Sequence, residues 1–113
     1  MNPALHARLW LAQRVTAGLL AVFVIAHLAT MIVVVQGGLS AAEILGRTRG
    51  NVWLLAFYSS FAVAAAIHAP IGLRNILMEH LRWRGRSLDA VVALVALLLL
   101  VLGLRAAWGV YAA

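Results

Sequence analysis

Hydrophobic residues in this chain do not alternate with polar ones. They run in three long blocks, about Leu9 to Val35, Val52 to Met78 and Leu88 to Tyr111. Each block exceeds the ~20 residues that an α-helix needs to cross a bilayer. In lipid every backbone N–H and C=O must be satisfied within the protein, which only helices and closed barrels achieve, and three spans cannot close a barrel. The pattern therefore predicts an all-α integral membrane protein, a single membrane domain over residues 1–113 with three transmembrane helices.

Two features refine the blocks. Arg8 and Arg14 precede the first apolar run in the manner of a signal peptide. That run is longer than the ~7–15 residues of an ordinary signal core and carries Gln13, Thr16 and His27, so it reads as an uncleaved helix. Between the first two spans, Gly37-Gly38 ends a helix and Ser40-Ala41-Ala42-Glu43 fits the capping box of a short surface helix. The second connection, around Glu79 to Ser87, is tight and rich in arginine.

Composition changes the picture mainly by exclusion. The 113 residues are 65% hydrophobic and include no cysteine. Disulfides, thiolate haem ligation, iron–sulfur clusters and thiolate zinc sites are thus excluded within the chain. A net charge of +6 suggests nucleic acid in a soluble protein, but here the arginines flank apolar spans. They set topology instead, and no nucleic-acid partner is expected. Arg8, Arg14, Arg74, Arg82, Arg84 and Arg86 lie on one side, against Arg47 and Arg49 on the other. The positive-inside rule then puts the amino terminus in the cytoplasm. Trp10 and Trp83 would mark the inner interface, and Trp53, Tyr58, Trp108 and Tyr111 lie towards the outer one.

Chemistry centres on two intramembrane histidines, since an ionisable group in lipid is costly without a partner. His27 lies past the middle of the first helix and His68 past the middle of the second. As the two helices run in opposite directions, the imidazoles differ in depth by about 10–15 Å. One haem needs its axial ligands at nearly equal depth, so these two are not expected on the same iron. Around His68, Ser60, Ala64 and Gly72 recur every four residues, and Pro70 removes an N–H beside it. On the first helix Gln13, Thr16, Leu20, Phe23 and His27 form a partly polar stripe at helical spacing. These patterns suit a cofactor pocket; they equally suit close helix packing with interhelical hydrogen bonds. A small transporter is a further alternative, although Glu43, Glu79 and Asp89 are all peripheral, whereas proton-coupled transport usually needs an embedded carboxylate.

The stretch His68-x-x-x-Gly72-x-Arg74, with Glu79 eleven residues after the histidine, resembles the second helix of the cytochrome b membrane-anchor subunit of the succinate dehydrogenase/fumarate reductase family. Gln13-Arg14-Val15-Thr16-Ala17-Gly18 is similar to the opening of the first helix in those anchors. The Gln13, Thr16 and His27 spacing looks like the di-haem fumarate reductase anchors in particular. Asn75 stands where the family often has a second histidine, and Ala17 where glycine is usual.

The resemblance implies a haem-binding helical bundle that passes electrons between iron–sulfur clusters and membrane quinone. His68 and His27 would be axial ligands of haem iron, Arg74 a partner of a haem propionate, and Gly72 the clearance for the macrocycle. Arg14 and Gln13 would face a quinone or a propionate. One or two b-type haems are implied, shared with a second anchor subunit or another copy of this chain. Flavoprotein and iron–sulfur subunits would dock on the cytoplasmic face of a bacterial inner membrane. The chain itself would be a non-catalytic anchor with no catalytic residue of its own.

Overall fold

A computed structural model describes residues 2–113. It contains four helices: α1 (Pro3–Gly37), α2 (Ala41–Thr48), α3 (Val52–Leu81) and α4 (Arg86–Ala112). Three of them, α1, α3 and α4, are long and apolar enough to cross a membrane. Helix α1 begins ahead of its apolar block under a cap at Asn2, α3 begins at Val52 itself under a cap at Asn51, and α4 begins at Arg86 without a side-chain cap. Asn2 Oδ1 accepts from Leu5 N at 2.7 Å, and Asn51 Oδ1 accepts from Leu54 N at 3.1 Å. Each cap supplies one of the acceptors that the first turn of a helix lacks.

The short helix begins as its capping-box pattern predicts, with Ser40 Oγ accepting from Glu43 N at 3.1 Å. Gly50 N then donates to Tyr111 O at 2.9 Å, which ties the end of this connection to the last turn of α4. At the opposite end α3 stops in a left-handed residue, Arg82 (φ 53°, ψ 26°), and Gly85 leads into α4.

Helix α3 lies in the middle, with α1 on one flank and α4 on the other. Small residues set how closely they approach. Ala64, Ala66 and Pro70 of α3 and Ala107 of α4 are buried, while most Leu, Ile and Val side chains point outward. An outward apolar surface is what lipid requires, and small residues at helix contacts let the backbones come close. Helix α3 stays helical through Pro70.

Candidate functional site

On α1, residues three and four apart share a face, and the stripe Gln13, Thr16, Leu20, Phe23, His27 is indeed the face turned toward α3. All five are buried or half-buried, while their neighbours Arg14, Val15, Val22 and Val24 are exposed. The two helices are antiparallel. Gln13 meets Gly72, Thr16 meets His68, Phe23 meets Phe61 and His27 meets Tyr58, so numbers rise on α1 as they fall on α3.

The half of this seam at the amino-terminal end of α1, which the arginine count expects to be the inner half, holds Gln13, Thr16, His68 and Gly72. Thr16 is 5% exposed. Its Oγ1 lies 2.6 Å from Ala12 O, 3.2 Å from Gln13 O and 3.4 Å from His68 Nδ1. A hydroxyl has one proton and two lone pairs. Donated to a backbone carbonyl, that proton leaves Oγ1 as acceptor for His68 Nδ1–H. The imidazole is then the Nδ1–H tautomer, with the Nε2 lone pair free. Next to it, Gln13 reaches into the space beside Gly72, where a Cβ would stand 3.2 Å from its amide nitrogen. Gln13 Oε1 is buried without a hydrogen-bond partner. Such an acceptor costs about 1–3 kcal/mol until a donor reaches it.

The other half holds His27 in an aromatic setting. Tyr58 OH lies 3.3 Å from His27 Nδ1. The imidazole also meets the rings of Tyr58 and Phe61 edge-on, with centroids 5.7 and 6.5 Å away. Beside it a cavity of about 450 Å³ opens among all four helices, lined by His27, Thr48, Tyr58, Phe61, Gly103 and Ala107 among others. Eleven residues separate Thr16 from His27, about 16 Å along α1 at ~1.5 Å per residue. Since Thr16 lies level with His68, the two imidazoles occupy separate levels of the bundle.

Close to the α3–α4 connection Arg74 Nη2 donates to Asp89 Oδ1 at 3.2 Å, joining α3 to the first turn of α4. A second cavity, about 620 Å³, is lined there by His6, Leu9, Arg74, Met78, Arg84 and Asp89 among others. Arg14 does not share the Gln13 site. It is exposed and lies over the Trp10 ring, 5.1 Å from the centroid, as an i, i+4 pair on the outer face of α1. Nor does Ser60 continue the small-residue face. It is exposed and donates to Ala56 O at 2.7 Å, because a four-residue repeat drifts around a helix of 3.6 residues per turn.

A family model described as succinate dehydrogenase/fumarate reductase transmembrane subunit matches residues 1–103. The chain belongs to this family. For a succinate dehydrogenase/fumarate reductase transmembrane subunit, the match takes in α1, α2 and α3 whole and α4 as far as Gly103. No curated protein and no solved structure matches the chain significantly.

Three contributors to this subunit's interhelical contacts were not singled out for those roles from the sequence. Thr16 appeared there in a stripe and in the first-helix motif but not as the partner of His68, Tyr58 as an interfacial aromatic and Asp89 as a peripheral acid. Tyr58 and Phe61 lie three residues apart on one face of α3, and Asp89 follows Arg74 across a tight connection. Those spacings were the available signals.

Proposed function

We propose that this subunit holds b-type haem through His68, and through His27 at a second level, while quinone is served from the inner half of the seam. The observation that carries the reading is the orientation of both imidazoles. Each turns Nδ1 to a hydroxyl of the facing helix, and no described residue hydrogen-bonds either Nε2. Metal-ligating histidines use one ring nitrogen for the metal and give the other to an outer partner. Among the described residues no three His, Asp or Glu gather as a bare-metal site, whereas a haem iron asks one or two ligands of the protein.

The remaining residues fit around that centre. Haem supplies one-electron redox chemistry between the donor clusters and quinone. Gln13 Oε1 is an acceptor awaiting a donor, which the hydroxyl of a quinol supplies. Arg74 offers paired donors to a propionate, in competition with Asp89. Gly72 clears space beside His68, space that the Gln13 amide shares. Arg14 lies at the same level as Gln13 on the neighbouring face of α1, where its partner would be a group approaching from outside the seam. Because the histidines lie at different levels, opposing ligands come from a second anchor subunit or another copy of this chain.

In this reading flavoprotein and iron–sulfur subunits dock on the cytoplasmic side, with the amino terminus, of a bacterial inner membrane. Two electrons from succinate reduce a quinone to quinol, or run in reverse to fumarate. The test is a reduced-minus-oxidised spectrum of the complex with its partner subunits. Loss of the His68-level component of the b-type signal in His68→Ala, with assembly intact, is the expected result; a signal equal to that of wild type in amplitude sinks the ligand assignment.

A haem-free reading draws on the same contacts, since Thr16–His68 and Tyr58–His27 tie α1 to α3. It predicts colourless protein and mild effects of His→Gln at both sites, glutamine being able to replace the hydrogen bonds.

A further inference from the structure

We propose that Thr16 is a positioning residue for His68, setting which ring nitrogen is free and how strongly that nitrogen donates to a bound metal. The proposal rests on the reading of His68 as a haem ligand. Its basis is an asymmetry between two hydroxyl–imidazole pairs that otherwise look alike.

The Thr16 hydroxyl has backbone carbonyls to receive its proton, with Ala12 O at 2.6 Å and Gln13 O at 3.2 Å. It is buried, so water does not compete for it. The only polar role left toward His68 Nδ1, at 3.4 Å, is that of acceptor. The Tyr58 hydroxyl has no partner other than His27 among the described residues. It can donate to Nδ1 or accept from it, so His27 is free to present either tautomer. His68 is held to one.

Two consequences follow for His68. Its Nε2 is presented without a proton, as coordination requires. Its ring is also held by an acceptor on Nδ1–H, which raises the electron density at Nε2. A hydroxyl already donating to a carbonyl is a better acceptor than a free one, because chained hydrogen bonds polarise each other. A more basic imidazole favours the oxidised metal, so Thr16 lowers the reduction potential of the group on His68. Backbone carbonyls supply this service in many sites; here a side chain on the opposite helix does so. The potential therefore depends on α1–α3 register.

The experiment is a redox titration of the haem signal in the intact complex, comparing wild type with Thr16→Val, Thr16→Ala and Thr16→Ser. Valine keeps the shape and removes the hydroxyl; serine restores it. The expected result is that Thr16→Val and Thr16→Ala retain the b-type spectrum while the oxidation equilibrium shifts roughly three- to tenfold toward the reduced form. That corresponds to about 30–60 mV upward at 59 mV per tenfold for one electron. Thr16→Ser is expected to return it to the wild-type value.

Alanine reads the same quantity should valine prevent assembly. An unchanged potential in the assembled Val or Ala variant overturns the proposal. So does a Thr16→Ser variant that behaves like Thr16→Val, since Thr16 would then act through its shape. Failure of the underlying reading looks different: His68→Ala would keep the wild-type spectrum and potential.

Discussion

Gly103 of α4 stands so close to Ala62 of α3 that a Cβ built on the glycine would lie 2.7 Å from the alanine Cβ. Neither atom is the end of a flexible chain, so a methyl group there forces the helices apart. Gly103→Ala is expected to destabilise the bundle by about 1–3 kcal/mol, the usual range for overpacking. The check is thermal unfolding in detergent. Because Gly103 also lines the cavity beside His27, any signal from a group at that level should shift in the same variant.

Gln13 carries a buried carbonyl oxygen with no donor. Gln13→Leu removes that acceptor while keeping most of the shape. It is expected to leave the isolated subunit as stable as wild type or more so, by up to about 1–3 kcal/mol. Quinone reduction by the assembled complex is expected to fall, chiefly as a higher KM. A variant with unchanged KM would remove Gln13 from the quinone site.

The Arg74–Asp89 pair tests whether the guanidinium serves helix packing or an anion. Its partners are 17% and 61% exposed, so solvent screens the pair and Asp89→Asn should cost no more than about 1 kcal/mol. Haem content should survive that change. Arg74→Gln is expected to lower the haem-to-protein ratio, and Arg74→Lys, which keeps charge without the paired donors, to fall between. Equal haem content in Arg74→Gln and wild type would leave the arginine with the ion pair alone.

Tyr58→Phe removes the one hydrogen bond from α3 to His27. Interhelical hydrogen bonds in membranes average about 0.6 kcal/mol, so the stability loss should be of that order. Haem content should hold in Tyr58→Phe and drop in His27→Ala, measured as haem per protein by pyridine extraction. Unchanged haem content in His27→Ala would reduce the subunit to one level of haem.

Arg82 ends α3 in the left-handed region, where a side chain is crowded by its own backbone. Its N–H and that of Trp83 both donate to Leu77 O, a helix ending that favours glycine. Arg82→Gly is expected to raise stability by about 1 kcal/mol or less, after the added freedom of glycine in the unfolded chain is subtracted. Chemical denaturation of the solubilised subunit checks it.

The spans were legible without coordinates because lipid imposes a length and a composition, and both can be counted along a chain. The stripe from Gln13 to His27 was legible too, since polar residues at helical spacing within an apolar helix must share a face. So was the separation in depth of His27 from His68, which needs only the rise per residue and opposite helix directions. The extension of α1 back to Pro3 was less visible, because its first turns depend on a single cap at Asn2 rather than on apolar periodicity.

Which side chains meet was decided only by the tertiary structure. Apolar residues surround each spanning helix almost evenly, so hydropathy says little about which face turns inward or how far one helix slides past another. Small residues such as Ala64 and Gly103 settle that through close approach. Their register brings Thr16 to His68, Tyr58 to His27, Gln13 to Gly72 and Asp89 to Arg74. The sequence alone determined that two imidazoles lie in the membrane at different levels. Only packing determined that each has a hydroxyl on its Nδ1, because hydrogen-bond partners across helices are fixed by shape in a medium where hydrophobicity no longer discriminates between faces.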